Sequence, residues 1–501
     1  MIKKIKIYIT LAAVAFSSVS CLDKYPEDAI PEGDAIRTVE EANQAVIGIY
    51  AYMKNPNLYS GLLTLLPDLQ ADLAYAVEGY TNTYGNIWRW DILPTNTEVE
   101  AVYGTLNALI GKCNFLLERI AVLEQEVDDE DYEKLQQFKG EALFARALSY
   151  SDLIKMYCKA YDPATAADEL GVVLVSSYSN AGTLKRASLK DDLAQSATCL
   201  KPDENENDES YYDTPYFTIY AVNALYARVY LNMQEWDKAI EYASKVIDSR
   251  KFKLSSTTEM IDSETSYYQY MWQYDHSTET IWKVGFTTTS YGGSLGQIFF
   301  NYDFNSFKPD YVPAEWVLNL YADTDLRATT FFQSYRTGYE HGLQWPLLAK
   351  YFGNQEFYEQ NILHVTMPKV FRLSEQYLIR AEAYCQKSNP EYGKGANDLT
   401  TLRQARYSNY GSASLTEENW FKEISEERVR ELYMEGFRLN DLKRWGQQGL
   451  VDGFTRKPQA NTIAVGSSLK VDASNPLFVW PIPQHELDLP GSQVEPNESN
   501  K

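Results

Sequence analysis

Two stretches place aromatic and amide side chains together without the period of a helix or a strand. Residues 78–97 read EGYTNTYGNIWRWDILPTNT and contain Tyr80, Asn82, Tyr84, Asn86, Trp88 and Trp90. Residues 285–311 set Tyr291, Asn301, Tyr302 and Tyr311 among glycines. Trp and Tyr offer flat apolar faces, and Asn beside them offers hydrogen bonds at the edge. A sugar ring has an apolar face and a rim of hydroxyls, so this pairing fits a glycan. Each aromatic contact adds roughly 0.5–1.5 kcal/mol beyond area burial. A handful of them yields dissociation constants nearer micromolar to millimolar than nanomolar. The candidate ligand contacts are Tyr80, Asn82, Tyr84, Trp88, Tyr291, Asn301 and Tyr302. Core packing is the competing reading for any such ring. It is preferred for Trp90, just before the next helix, and for Tyr268, Tyr270 and Trp272, which approach a strand starting at Glu279.

Signals for covalent or metal chemistry are missing from the sequence. The chain has four histidines, His276, His341, His364 and His485, and none forms H-E-x-x-H. No G-x-S-x-G and no glycine-rich phosphate loop occurs. Cys113, Cys158, Cys199 and Cys385 are far apart with no C-x-x-C, which argues against zinc. The helical patterns around Cys113, Cys158 and Cys385 favour buried thiols. No catalytic residue, metal or cofactor is therefore expected. With 69 acidic residues, spacing cannot single out a carboxylate pair, and glycoside hydrolysis stays open as a weaker alternative. The formal net charge of −23 repels phosphate backbones and argues against a nucleic-acid partner.

The elements that must position these loops are mostly helical. From Lys369 to Gly446 the apolar residues recur at three and four, as in Val370, Leu373, Tyr377, Leu378, Ala381 and Tyr384. Ser414 and Glu417 have capping-box spacing, as do Thr38 and Glu41. Paired charges such as Glu426/Arg430 and Asp441/Arg444 read as a solvated, salt-bridged scaffold face. Helices are expected over about 58–77, with a kink at Pro67, and over 98–122 and 132–157. Residues 218–247 read as a tetratricopeptide-type helix pair. Helical periodicity weakens over 250–368, which reads as long loops with small strands. The expected fold is mainly α, with a helical scaffold over about 38–250 and 369–446 and loop-rich parts at about 78–97 and 250–368.

Met1 to Cys21 has three lysines, an apolar run from Ile7 to Phe16 and then small residues, the pattern of a secretory leader. Ser18-Val-Ser-Cys21 resembles a lipobox, with Ser18 where Leu is usual. Cleavage after residue 20 would expose Cys21 for lipidation, and several acyl chains hold a protein stably on a bilayer. Ordinary cleavage to a soluble periplasmic protein is the alternative.

Arg372-Leu-Ser-Glu-Gln-Tyr-Leu-Ile-Arg-Ala-Glu-Ala, Glu427-Arg-x-Arg-Glu-Leu-x-x-Glu-Gly-x-Arg, Asp441-Leu-Lys-Arg-Trp-Gly and Trp480-Pro-Ile-Pro-Gln together resemble the signature of the SusD/RagB family. Gly140-Glu-Ala-Leu-Phe-Ala-Arg-Ala and the Asp325-x-Arg327 pair extend the resemblance across the mature chain, 21–501. It implies a SusD-like helical fold and an outer-membrane, surface-exposed lipoprotein. It also implies non-catalytic capture of oligo- or polysaccharide for a TonB-dependent outer-membrane transporter of SusC/RagA type. Peptide capture, as in the RagB branch, is the alternative within the family.

Overall fold

The computed structural model describes residues 35–77, 83–175, 178, 186–188, 212–301, 306–339, 344–457 and 469–501. Cys21 and the leader, Tyr80, Asn82, Tyr302 and Cys199 lie outside the described residues.

Helix α1 (Val39–Tyr52) starts where the Thr38 hydroxyl accepts the Glu41 N–H at 3.1 Å, while Glu41 itself takes the Arg37 N–H. Next, α2 (Leu62–Gln70) contains Pro67 and stops at Gln70, short of the expected end near Val77, because the chain extends into strand β1 (Ala74–Ala76). A single turn, α3 (Gly85–Trp88), follows. The long pair α4 (Thr97–Leu123) and α5 (Asp129–Tyr157) packs along its length. A short ribbon joins β2 (Leu170–Val173) to β3 (Arg186–Ser188). The pair α6 (Ile219–Asn232) and α7 (Trp236–Ile247) matches the expected helix pair. Fully buried Ala227, Ala239 and Ala243 line its contact with Ala383.

The loop-rich part contains α8 (Tyr267–Gln273), β4 (Thr280–Lys283), α9 (Gln297–Phe300), β5 (Tyr311–Pro313), α10 (Glu315–Leu318), α11 (Arg327–Phe331), β6 (Phe332–Arg336), β7 (Gln344–Leu348) and α12 (Gln355–Glu359). Then β8 (Lys369–Arg372) leads into the helices α13 (Leu373–Gln386), α14 (Tyr392–Gln404), α15 (Trp420–Glu431) and α16 (Arg438–Gln447), before β9 (Gly453–Arg456) and β10 (Leu469–Asp472). The strands form antiparallel two-stranded ribbons, β1–β5, β2–β3, β4–β8, β6–β7 and β9–β10. The fold is thus mainly α with small β pairs. Cys113, Cys158 and Cys385 are buried free thiols, and burial pushes Cys113 and Cys385 up to about 12.

Two expectations need correction. The Ser414/Glu417 spacing does not start a helix. Helix α15 begins at Trp420, and the turn before it is held by Asn419 Oδ1 accepting the Thr416 N–H at 2.7 Å. The charges of α15 and α16 are also not a solvated face. Glu427, Arg428, Arg430, Glu431, Asp441 and Arg444 are buried. Arg372 bridges Glu279 at 2.7 Å, Glu431 at 2.8 Å and Glu435 at 2.8 Å. Arg406 joins Glu279 and Glu431, both at 2.8 Å. Arg327 holds Asp325 at 2.6 Å and Glu427 at 2.6 Å. The arginines around them hold Glu427 and Glu431 well below the usual carboxylate range, against the opposing effect of burial. Partners come from the residue before β4, from the loop before α11 and the start of α11, from β8, from the turn after α14, and from α15 and the turn that follows it. The network therefore ties the loop-rich part to the helical frame.

Candidate functional site

Pairing of β1 with β5 sets the two aromatic loops side by side. The register is Ala74 with Pro313, Tyr75 with Val312 and Ala76 with Tyr311. Beyond the ribbon, the Val77 N–H donates to Asp310 O at 2.8 Å and the Thr83 N–H to Asp310 Oδ2 at 3.2 Å. The Tyr311 hydroxyl donates to Thr83 O at 2.7 Å. Asp310 is fully buried and accepts from Val77, just before the first loop, and from Thr83 within it. On the other side, Lys308 N–H donates to Asn301 O at 2.6 Å, and the Asp310 N–H to Ile298 O at 2.8 Å. Tyr84 and Asn301 therefore sit on neighbouring loops, with Arg89 exposed nearby.

Tyr84 is half-buried and left-handed, with φ +64°, as is Trp90 at +61°. Such backbone is uncommon outside glycine and persists only where its surroundings hold it. Burial raises the Tyr84 phenol, aided by the nearby negative charges of Glu98 and Asp310. Asn301 Oδ1 accepts from Gln297 Nε2 at 2.9 Å, which orients its amide.

Trp88, expected as a ligand contact, is corrected by the structure. It is 6% exposed, its Nε1–H donates to Ala74 O at 2.9 Å, and the Arg456 guanidinium lies 4.3 Å from its ring. Arg456 also donates to Ala71 O at 2.8 Å, Gln70 O at 2.6 Å and Trp88 O at 2.5 Å. Burial pulls this guanidinium down to about 10, against the nearby negative charge of Asp72. Trp90 is core as expected. Its Nε1–H donates to Gln70 O at 2.6 Å and its ring meets Phe478 edge-on at 4.9 Å. Gln70 also accepts from Trp480 Nε1 at 2.7 Å, so the C-terminal Trp-Pro-Ile-Pro motif anchors beneath the first loop. Tyr311 is fully buried.

Tyr291 lies near the start of the second loop, ten residues before Asn301. It is 46% exposed, follows the Thr287–Ser290 turn that Lys54 Nζ reaches at 3.0 Å, and faces Phe357 at 6.4 Å. Sequence reasoning missed Asp310 and Arg456. Asp310 stood unremarked beside Tyr311, and Arg456 lies hundreds of residues from the carbonyls it holds.

A wider groove of about 750 Å³ opens between residues 159–169, 443–452, 472–479 and 497–499. Its carboxylates are Asp162, Glu169, Asp452, Asp472 and Glu498, and Phe478 is its one aromatic among the described residues. At 3% exposure, that ring offers no platform for stacking. Among the described residues no three His, Cys, Asp or Glu converge as a metal-holding group, and no helix is long and apolar enough to cross a membrane.

The sequence model of the SusD family matches residues 334–497, and a second one, described as starch-binding associating with outer membrane, matches residues 22–231. The chain belongs to the SusD/RagB family. A SusD-like protein of Formosa agariphila is 22% identical over 493 residues, spanning 89% of this chain and 90% of its own. Among solved structures, a SusD superfamily protein from Bacteroides thetaiotaomicron matches at TM-score 0.76 with 22% identity, over 92% of this chain and 99% of its own. Surface glycan-binding protein A from Bacteroides fluxus matches at TM-score 0.68 with 17% identity, over 92% and 99%. These structural likenesses establish the SusD fold, to which the buried Asp325, Arg327, Arg372 and Trp480 contribute here.

Proposed function

We propose that this SusD-family protein is a non-catalytic glycan-binding subunit. It sits at the outer membrane, anchored through lipidated Cys21 on the cell surface. It holds an oligo- or polysaccharide and hands it on to a TonB-dependent transporter. Outer-membrane association is in keeping with the matched family description, and glycan binding with the structural likeness to a surface glycan-binding protein of Bacteroides fluxus.

The observation that carries the reading is the β1–β5 ribbon, which brings Tyr84 and Asn301 onto adjoining loops. Tyr84 presents a half-buried ring, Asn301 an amide held by Gln297, and Arg89 an exposed cation over the adjoining Gly85. A sugar face stacks on the tyrosine while its hydroxyls meet the amide and guanidinium. Tyr80, Asn82 and Tyr302 belong to the same two loops and complete the contact set in this reading. Tyr291 gives a second, separate contact for a longer chain. A few stacking contacts give weak, reversible binding, which suits handing cargo on.

Affinity electrophoresis of the purified protein against a polysaccharide panel tests this reading. A retarded band for at least one glycan, with unchanged chain length after incubation, is the expected result. Shortened product would instead indicate hydrolysis. No retardation by any glycan, together with binding of a peptide library, would replace the glycan with peptide.

A further inference from the structure

A second pocket lies outside the two loops and is lined by four glutamines, Gln269, Gln273, Gln333 and Gln355. They come from α8, from β6 and from the start of α12. Thr330 and Trp272 close its floor, and Tyr335 and Phe352 stand along one wall with ring planes 9° apart. The cavity measures about 190 Å³. A cavity of about 150 Å³ already accepts benzene, so the space suits a single six-membered ring.

Its chemistry is unusual for this protein. None of the lining side chains is charged, although the chain carries 46 basic and 69 acidic residues. Trp272 is 4% exposed, and its Nε1–H has no partner among the described residues. A buried donor left in that state costs about 1–3 kcal/mol. Its ring faces are already taken, with Lys350 at 4.1 Å, Lys369 at 4.7 Å and Arg372 at 5.4 Å. The cations on its faces polarise the ring and strengthen that N–H as a donor. Gln269 and Gln333 each use one amide oxygen internally, accepting from Ser266 N–H and from the Tyr335 hydroxyl at 2.9 Å. Their NH2 groups, both amides of Gln273 and Gln355, and the Thr330 hydroxyl make no hydrogen bond to another described residue.

We propose that this pocket binds one neutral hexopyranose unit. Amides, a hydroxyl and an indole N–H supply donors and acceptors for ring hydroxyls, and Tyr335 with Phe352 covers the apolar side. A carboxylate or sulfate would lose its hydration with no free counter-charge to replace it. Lys350, Lys369 and Arg372 are each paired already, with Glu435, Asp275 and Glu431. Aromatic packing links the wall of this pocket to the second loop. Phe300, next to Asn301, lies 5.8 Å from Tyr335 and 5.1 Å from Phe352. Resting on the glycan reading above, the bound unit is a chain end or branch whose neighbours extend toward those loops.

The test uses the purified full chain with free glucose, galactose, mannose, N-acetylglucosamine and glucuronate, followed by saturation-transfer NMR and calorimetry. At least one neutral sugar binds, and glucuronate binds at least about tenfold more weakly. Losing hydrogen bonds of roughly 0.5–1.5 kcal/mol each, the Gln273→Ala/Gln355→Ala variant weakens binding about tenfold and Trp272→Phe about fivefold. Thermal melting confirms folding, and the variant in the half-buried glutamines keeps the test valid should Trp272→Phe unfold. Binding by none of the neutral sugars, equal binding of glucuronate, or an unaffected glutamine variant overturns the proposal. Failure here alongside polysaccharide retardation removes the pocket and leaves the loop site. Free-sugar binding without any retarded polysaccharide does the reverse.

Discussion

Two rings four residues apart show how burial separates roles that composition cannot. Trp88 packs against Arg456 and Ala74, whereas Tyr84 stays half-buried on the loop surface. Trp88→Ala is expected to cost about 3–5 kcal/mol of stability, as large-to-small changes of buried aromatics do. Urea unfolding measures it. Tyr84→Ala should leave the midpoint nearly unchanged and lower glycan affinity about fivefold to tenfold, read by calorimetry on the glycan that the panel identifies. Arg372 is a third case. It is 1% exposed and meets three carboxylates. Arg372→Met should destabilise by about 3–5 kcal/mol, because removing one partner strands buried charge. The same denaturation experiment checks it.

Among elements, the small ribbons matter more than their length suggests. Ribbon β9–β10 delivers Arg456 to the carbonyls of residues 70, 71 and 88, and so braces the loop that holds Tyr84. Gly453 in that ribbon has φ +119°, and a Cβ there would lie 1.9 Å from Val471 O. Gly453→Ala should therefore cost more than about 1 kcal/mol. Hydrogen exchange at the amides of residues 84–90 should quicken in the variant. Unchanged exchange there would show that Arg456 does not brace the loop. Much of the helical frame was legible: α5, α6 and α7 fall where periodicity placed them, and Thr38 caps α1. The end of α2 was not, since only pairing with β5, far along the chain, turns residues 74–76 into a strand. The capping spacing at Ser414 misled because Asn419 closes that turn from inside.

For the whole molecule, the buried charge network sets the response to acid. Glu427 and Glu431 are held ionised well below the usual range by Arg327, Arg372, Arg403, Arg406 and Arg430. In the unfolded chain a glutamate titrates near about 4.3. Between these limits the unfolded chain binds more protons than the folded one, so stability falls as pH drops below that range. Asp68 acts in the opposite sense. Burial raises it to about 7, so its contribution is complete below the ordinary aspartate range and fades as pH rises toward 7. Melting temperature should therefore be highest in the mildly acidic range and drop steeply below about pH 4. A melting series from pH 3 to 8, at steps of roughly one unit, checks both signs. Glu427→Gln should flatten the acid limb and lower stability at neutral pH.

Local pattern by itself determined the mainly helical frame, the helix pair at 218–247, the buried thiols at Cys113, Cys158 and Cys385, and the two loops rich in rings and amides. These follow from the fixed period of a helix and the chemistry of each side chain, which neighbours in sequence are enough to display. The tertiary structure alone decided which rings are buried, that α15 and α16 turn their charges inward, and that Asp310 joins loops more than two hundred residues apart. It also gathered four glutamines from three elements around one uncharged cavity that Trp272 helps to line. Burial and pairing depend on which distant segments meet, and that is a property of the folded chain as a whole.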